Sequence, residues 1–320
     1  MNILIADKFS EFHKEILEGE GHTCTVNVDL NGDNLHEHIA GFDVLIVRST
    51  VVNAQALDAA TDLKLVIRAG AGTNTIDKAH ARSKGIDVCN VPGANAIAVA
   101  ELAMGLILSI DRNIPDNVAD LRAGVWNKKK YSKAAGLYGR SLGIIGLGSI
   151  GLSLAVRAIA FGMEVFIVKK EGRSKETEAR IESMRVHQLA SQDEVIRECD
   201  IISVHLPSTP ETKGSVNESF LNKMKDGAIL INTSRGDVVN EADLIKAMDD
   251  KGIRAGLDVY ANEPGAGDST FDSALAKHPN VYGTHHIGAS TEQAQTAVAD
   301  GVIRVLKSYE ADELIYCVNS

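Results

Sequence analysis

Three polar patches in the second half of the sequence carry side chains suited to acid–base chemistry on a small anion. The first contains Arg235, and an arginine can grip a carboxylate through two hydrogen bonds and polarise the adjacent carbonyl. The second contains Glu263, and the third contains His285 and His286. Hydride transfer to a carbonyl needs a proton delivered near neutral pH, which an imidazole can supply. A neighbouring carboxylate would orient that imidazole and favour its protonated form.

Each of these residues has a simpler explanation when it is taken alone. An arginine after a strand often forms a surface ion pair, a glutamate before a proline often lies in a turn, and one of two adjacent histidines can cap a helix. However, the three patches follow three apolar runs that are typical of strands, at 228–232, 254–257 and 281–283. Ligands of open α/β sheets bind beyond the carboxyl ends of the strands. The joint placement therefore favours one shared site.

A glycine-rich segment, Gly146-Leu-Gly148-Ser-Ile-Gly151, lies between a strand-like run and a helical run. Strand, glycines and helix in this order predict a dinucleotide-binding turn. The first glycine permits the tight turn, the second lets the backbone approach a pyrophosphate, and the third lets the helix pack closely on the strand. Main-chain amides at the helix N-terminus would then hold the phosphates.

The next strand, 164–168, should end in an acid that accepts hydrogen bonds from the ribose hydroxyls. Lys169 and Lys170 stand there instead, followed by Glu171 and Arg173. A lysine cannot accept from a 2′-hydroxyl, but it would pair with a 2′-phosphate. Either the chain tolerates or prefers NADP, or Glu171 bends back and the lysines are merely solvated. The sequence leaves the choice between NAD and NADP open.

Composition excludes several other classes of function. The 320 residues include 33 basic and 43 acidic side chains, a net charge of −10, which disfavours binding to nucleic acid or to an anionic membrane. The four scattered cysteines lack metal-ligand spacing and predict free thiols in a reducing cytoplasm, with no metal site. The longest apolar stretch, 94–110, is too short for a membrane span. It predicts a helix buried between domains or subunits.

The elements that must position these residues follow an alternating pattern. Strand-like runs alternate with helical ones from residue 2 to 89, and a second series begins at 141, so we expect two doubly wound parallel sheets. The low aromatic content of 4% suits sheets buried by helices. The charged stretch 169–185 predicts a solvated loop.

Four motifs together resemble the D-isomer-specific 2-hydroxyacid dehydrogenase family over essentially the whole chain. They are the glycine-rich segment 146–151, Thr233-Ser-Arg235-Gly236, Asp258–Pro264 and His286–Thr291. The resemblance implies that Arg235 binds substrate, that His286 is the general acid/base and that Glu263 is its acidic partner. It also implies cofactor contacts at Gly146, Gly148, Ser149, Ile150, Gly151, Lys169, Leu206, Pro207, Thr233, Ser234, Asp258 and Gly288.

Within the family, the segments 47–49, 68–77, 91–95 and 124–131 are most similar to members that act on 3-phosphoglycerate and 3-phosphohydroxypyruvate, at the start of serine biosynthesis. This implies that main-chain amides at Ala69 and Gly70 bind the substrate carboxylate. Arg48, Asn95 and the lysine cluster 128–130, with Lys129 at its centre, are candidates for the phosphate end. A solvated loop explains the lysine cluster equally well. A hydroxypyruvate or glyoxylate reductase using NADPH would need the same triad and remains an alternative. A dinucleotide-sensing protein, like the corepressors that share the fold, is an alternative of another class.

The family's chain path implies a discontinuous organisation. Residues 1–96 and 287–320 would form a flavodoxin-like substrate domain, and residues 97–286 a Rossmann cofactor domain, with the active site in the cleft between them. The family's pattern also implies a homodimer formed through the cofactor domain. Because the sequence stops soon after its last helical run, we expect the short form, without a C-terminal regulatory domain.

Overall fold

The computed structural model describes residues 1–264 and 270–320, which form two compact units. The first unit combines Met1–Asn95 with Ala289–Ser320, and the second is the continuous stretch Ala96–Gly288. In the described residues, no helix is both long enough and apolar enough to cross a membrane.

The first unit is built on five short parallel strands. Their residues are largely apolar, and those of the central strand Val44–Val47 are all buried, as expected for a sheet covered on both faces. The strands are β1 Asn2–Ile5, β2 Thr23–Val26, β3 Val44–Val47, β4 Leu65–Arg68 and β5 Asp87–Asn90. The helices between them are α1 Glu11–Gly19, α2 Ala54–Ala59 and α3 Lys78–Ser83. The strand order β2-β1-β3-β4-β5 is that of flavodoxin-like folds.

The second unit begins with two helices and continues as a seven-stranded parallel sheet. The helices are α4 Ala96–Arg112, α5 Ile114–Arg122, α6 Ser149–Ala160, α7 Lys175–Met184, α8 Gln192–Glu198, α9 Glu218–Lys223 and α10 Glu241–Lys251. The strands are β6 Ser141–Ile145, β7 Glu164–Val168, β8 His187–Leu189, β9 Ile201–Val204, β10 Ile229–Asn232, β11 Arg254–Leu257 and β12 Val281–Gly283. Their order, β12-β11-β10-β9-β6-β7-β8, is the Rossmann order extended by one strand. The prediction of two doubly wound parallel sheets is confirmed.

Two long helices cover these sheets. Helix α4 corresponds to the apolar stretch at 94–110 and buries ten of its seventeen residues, chiefly against α6 and strands β10 and β11. It approaches β11 closely because Gly256 lacks a side chain; a Cβ atom there would lie 3.0 Å from the Cβ of Leu106. The last helix, α11 Glu292–Glu310, returns to the first unit and packs on α1, β4 and β5.

The prediction of a solvated loop over 169–185 is wrong for its second half, which forms α7. Ser174 caps this helix, since its hydroxyl accepts a hydrogen bond from the Thr177 amide at 3.2 Å. Glu176 and Glu178 lie in the first turn, where negative charge favours a helix. Ile181 is the one buried residue of α7. The helix is therefore stabilised by its cap and its charge pattern, and its single apolar contact is too small to show as a periodic pattern.

Candidate active site

The loops that follow β11 and β12 bring Glu263 and His286 into direct contact. Glu263 Oε2 lies 2.7 Å from His286 Nδ1. Because a carboxylate can only accept, the proton of this hydrogen bond lies on Nδ1, and Nε2 is left for a substrate. The His286 side chain keeps 52% of its surface exposed, so this nitrogen can be reached.

Electrostatics favour a charged pair. The hydrogen bond to Glu263 raises the pKa of His286 above its ordinary value, and the charges of Glu263 and Asp258 act in the same direction. Burial and the Arg235 charge oppose this without cancelling it. Burial works to raise the pKa of Glu263, but hydrogen bonds from His286 and the Tyr260 amide, together with nearby positive charge, hold that pKa below its ordinary value. The pair can therefore hold a proton for transfer near neutral pH.

The backbone of His286 has a left-handed conformation, with φ of 52°. Such a conformation costs a non-glycine residue about 1–3 kcal/mol and persists only where the surroundings fix it. Asp258 supplies that restraint. Its main-chain carbonyl accepts from the His286 amide at 2.8 Å, and its buried carboxylate accepts from the amides of Ile287 and Gly288, at 2.9 and 2.8 Å, and from the Thr284 hydroxyl at 2.6 Å. Asp258 thus holds the loop that presents the imidazole, a contribution that its sequence motif did not reveal.

The turn that carries Arg235 is built by the side chain of Asn232. Its Nδ2 donates to the Arg235 carbonyl at 2.9 Å, and its Oδ1 accepts from the amide and the hydroxyl of Ser234. The Arg235 guanidinium donates back to the Ser234 carbonyl at 2.6 Å. Thr233 is buried, and its hydroxyl has no hydrogen-bond partner within the described residues. A buried hydroxyl without a partner is unusual, so Thr233 can serve a bound ligand.

The Arg235 turn and the Glu263 loop are in backbone contact. A Cβ atom on Gly236 would lie 2.0 Å from the carbonyl carbon and oxygen of Tyr260, so this position cannot carry any side chain without moving the loop. The Glu241 carboxylate also accepts from the Ala261 amide at 2.8 Å. These contacts place Arg235 close enough for its charge to act on both Glu263 and His286.

The glycine-rich turn follows β6 and leads into α6. Gly146 has φ of 97°, and a Cβ atom there would lie 2.3 Å from the His205 carbonyl oxygen. At Gly151 a Cβ atom would lie 2.5 Å from the Gly146 carbonyl oxygen, so only glycine lets α6 start this close to the turn. Gly148 has no atom within 4 Å of the corresponding position. This open space borders the first amides of α6, those of Ser149 and Ile150, which have no acceptor within the helix.

Strands β6 and β9 are neighbours at the point where the strand order reverses, the usual ligand site of such sheets. After β9 the chain continues through His205, Leu206 and Pro207, and the Leu206 side chain lies against the Gly146 turn. Burial lowers the pKa of His205 to about 4. Its imidazole therefore stays neutral near pH 7 and is no competitor for the role of proton donor.

The segment that follows β7 contains three basic side chains, Lys169, Lys170 and Arg173. Lys169 and Lys170 are exposed, and Arg173 folds back to donate to the Val168 carbonyl at 2.6 Å. Glu171, between Lys170 and Arg173, is exposed as well. The segment after β7 therefore carries three positive charges and one negative charge.

The predicted substrate contacts of the first unit lie in loops after β3, β4 and β5. The Arg48 amide donates to Asp7 Oδ2 at 2.6 Å, and Asp7 also accepts from the amides of Ser49 and Thr50. Asp7 is a loop-organising residue that the sequence analysis missed, because a single acid after a strand gives no distinctive pattern.

The turn at Ala69 and Gly70 has its own constraints. The two amides donate to the carbonyls of Val47 and Arg68, at 2.7 and 2.8 Å, so a carboxylate would have to displace these bonds or use later amides. Gly70 has φ of 139°, and the Arg68 guanidinium occupies the position that a Cβ atom would take, at 1.7 Å. Asn95 is half-buried and lies directly before α4. Arg68 begins the segment 68–77, and the structure shows that its guanidinium lies at this turn.

The lysine cluster after α5 separates into two kinds of residue. Lys130 pairs with Asp120 at 3.0 Å and lies over the Tyr131 ring, so its charge is used locally. Lys129 is exposed. Among the described residues, no group of three His, Cys, Asp or Glu side chains converges as a metal site requires.

Comparison with known proteins gives one match to most of the second unit and others across both units. Residues 104–288 match the family model described as the D-isomer specific 2-hydroxyacid dehydrogenase NAD binding domain. The chain is 39% identical, over its full length, to a D-3-phosphoglycerate dehydrogenase of Methanocaldococcus jannaschii, of which it covers 60%. It is 41% identical to a hydroxypyruvate reductase of Thermotoga maritima, with 84% of this chain and 85% of that protein covered.

The fold is similar to that of solved structures over almost all of its length. An acyclic imino acid reductase in complex with NADPH and D-Arg superimposes with a TM-score of 0.86 and 25% identity, covering 99% of this chain and all of the other. The chain spans about three fifths of the length of the curated D-3-phosphoglycerate dehydrogenases that it matches.

Proposed function

We propose that this chain, which belongs to the D-isomer-specific 2-hydroxyacid dehydrogenase family, transfers a hydride between a nicotinamide dinucleotide and carbon 2 of a D-2-hydroxy acid. The observation that carries the proposal is the 2.7 Å contact between Glu263 and His286, held beside the Arg235 turn. The glycine-rich turn of the same unit supports it, because its open space at Gly148 suits a pyrophosphate.

Each residue of the triad has one task in this reaction. His286 Nε2 gives a proton to the carbonyl oxygen of the 2-keto acid, or takes it from the hydroxyl in the reverse direction. Arg235 holds the substrate carboxylate and polarises the carbonyl. Glu263 keeps the imidazole oriented and favours its protonated form. The cofactor, when bound, supplies or accepts the hydride.

For the substrate we propose 3-phosphoglycerate and 3-phosphohydroxypyruvate. The similarity to D-3-phosphoglycerate dehydrogenases over the whole chain supports this choice. The contacts predicted for Arg48, Ala69, Gly70, Asn95 and Lys129 stay predictions. Reduction of hydroxypyruvate is the second candidate, because the relative with that name is matched over 85% of its own length.

A panel of substrates distinguishes the two proposed activities. Initial rates of 3-phosphohydroxypyruvate and hydroxypyruvate reduction are measured with NADH and with NADPH. We expect kcat/KM to be higher for the phosphorylated substrate. Equal or lower values would assign the chain to hydroxypyruvate. Absence of turnover on any 2-keto acid, with the reduced cofactor still bound, would favour a dinucleotide-sensing protein.

For the cofactor we propose that the chain accepts NADPH at least as well as NADH. Three basic side chains surround the end of β7, and a 2′-phosphate is the cofactor group that such a cluster would recognise. The variant K169E should weaken NADPH binding by roughly tenfold, the size of one lost charge-assisted contact. It should keep or strengthen NADH binding, because the new carboxylate can accept hydrogen bonds from the ribose hydroxyls. The matched control is K133E, at another exposed lysine. An equal loss for both cofactors would contradict the proposal.

We further propose a homodimer formed through the second unit. Helix α5 has no buried residue, although Ile114, Val118 and Leu121 form an apolar stripe along it. Trp126, just beyond the helix, is 81% exposed. An apolar surface of this kind is usually covered by a partner, and a second copy of this chain is the partner that the family pattern implies.

A further inference from the structure

Two of the four cysteines lie opposite each other in the first unit. Cys89 lies in β5, and Cys317 faces it in an isolated antiparallel bridge. Hydrogen bonds flank the pair on both sides, from the Asn90 amide to the Tyr316 carbonyl at 3.2 Å and from the Val318 amide to the Val88 carbonyl at 2.8 Å. The cysteines are therefore a non-hydrogen-bonded pair of the ladder, the type in which side chains are closest.

This geometry is compatible with a covalent link. The Cα atoms of such a pair are about 4.5 Å apart, and disulfides join Cα atoms separated by about 4.4–6.8 Å. Both side chains project from the same face of the ladder. Both cysteines are free thiols, and the proximity of Cys317 is one of the causes that raise the pKa of Cys89.

The C-terminal segment is held in this register by a second residue. Asn319 Oδ1 accepts from the Val88 amide at 2.8 Å and from the Cys317 thiol at 3.3 Å. Its Nδ2 donates to the Ile86 carbonyl at 2.9 Å. These hydrogen bonds therefore keep the C-terminal segment paired with β5, with Cys317 opposite Cys89.

We propose that Cys89 and Cys317 form a reversible disulfide when a hydroperoxide reaches the protein. Cys317 is half-buried and reacts first, whereas Cys89 is fully buried. The Cys317 sulfur breaks the O–O bond and becomes a sulfenic acid, and the peroxide leaves as an alcohol or water. The Cys89 sulfur then attacks the sulfenic sulfur, the S–O bond breaks, and the hydroxyl leaves as water with the Cys89 proton. Two thiols are oxidised by two electrons, and one peroxide is reduced.

Burial also explains why Cys317, and not Cys89, reacts first with the peroxide. Burial raises the pKa of the Cys89 thiol to about 12, which leaves very little thiolate to attack an oxidant in solution. Once the sulfenic acid has formed opposite Cys89, the pairing of the two residues in the ladder replaces a bimolecular encounter. A small dithiol regenerates the two thiols by exchange.

The bond would join the two stretches of chain that make up the first unit. Cys89 belongs to the stretch that ends at Asn95, and Cys317 to the stretch that begins at Ala289. Since a disulfide that closes a long loop mainly restricts the unfolded chain, we expect the melting temperature to rise by roughly 5–15 °C after oxidation.

The experiment counts thiols on the full-length chain. The protein is treated with hydrogen peroxide, unfolded in the presence of an alkylating agent, and measured by intact mass and by peptide mapping without reduction. Two cysteines should escape alkylation in the wild-type protein, and a linked peptide pair should contain Cys89 and Cys317. Dithiothreitol should restore all four thiols.

The other two cysteines provide matched controls. Cys24 is half-buried like Cys317, but it lies in β2, at the opposite edge of the sheet from β5. Cys199 is fully buried like Cys89, but it lies in the second unit. C24S and C199S should still form the linked pair, whereas C317S and C89S should not. A linked pair of other composition, irreversible oxidation of Cys317 without a link, or protection that survives in C317S would overturn the proposal.

Discussion

At the scale of single residues, the site depends on one imidazole in a strained backbone conformation. Few residues other than glycine adopt the left-handed conformation of His286, and hydrogen bonds to Asp258 restrain it and both following residues. The hydrogen bonds to Asp258 hold the backbone from which the ring projects, while the contact with Glu263 fixes the tautomer of the ring. A proton donor positioned in this way needs little rearrangement before it reacts.

The Glu263 contact should set the pH range of catalysis. Reduction of a 2-keto acid needs protonated His286, and the raised pKa keeps that form present to higher pH. E263Q removes the main cause of the shift, so the alkaline limb of kcat/KM for reduction should move to lower pH. The oxidation limb should move in the same direction, because deprotonated His286 then appears earlier. The pH profile is compared with that of E176Q, on the distant helix α7, and an unchanged profile in E263Q would contradict this role.

At the scale of elements, the three glycines of the glycine-rich turn have two different roles. Gly146 and Gly151 are required by the fold, since a side chain at either would collide with a carbonyl. Gly148 is under no such constraint, because the space around it is empty. We interpret that space as the position of the cofactor's pyrophosphate.

G148A should therefore keep the fold and lose cofactor. We expect a melting temperature close to that of the wild type and NAD(P)H binding weakened by about tenfold or more, because the added methyl group occupies the path of the phosphates. G19A is the matched control, since Gly19 also has open space around it and lies in the first unit. Calorimetric titration measures both, and unchanged affinity in G148A would place the pyrophosphate elsewhere.

The helices and strands also show which parts of the fold can be predicted from sequence patterns. Strands such as β3 and β10 are recognisable because burial on both faces makes them continuous apolar runs. Helix α7 buries only Ile181, so its sequence is mostly charged and shows no apolar periodicity. Strand β8 has only three residues, too few to give a recognisable strand pattern. Spacing could place Glu263 and His286 after neighbouring strands. It could not show that Asp258 restrains their loop, or that Cys89 faces Cys317, because such pairings depend on tertiary contacts between distant parts of the chain.

At the scale of the whole molecule, the proposed function requires a chain with a net charge of −10 to bind anions. The second unit offers main-chain amides at the start of α6, one guanidinium at Arg235 and a basic cluster at Lys169. Anion recognition is thus local, and the overall acidity is compatible with it. The low aromatic content is consistent with two parallel sheets whose cores consist mainly of aliphatic residues.

The exposed stripe on α5 should control assembly. L121E places a charge in the centre of the apolar surface and should convert a dimer into a monomer, with secondary structure unchanged. L314E is the control, because Leu314 is exposed to a similar degree in the first unit. Sedimentation velocity reads the mass directly, and a wild-type monomer or a dimeric L121E would contradict the proposed interface.

The central claim is that His286 transfers the proton that accompanies hydride transfer. The most direct measurement compares kcat of the wild type and H286A for 2-keto acid reduction, with NADH and NADPH binding determined on the same preparations. The account predicts that kcat falls by about 10²–10⁴, the usual contribution of a general acid, while cofactor affinity is retained. Nearly intact turnover in H286A with the cofactor still bound would contradict it.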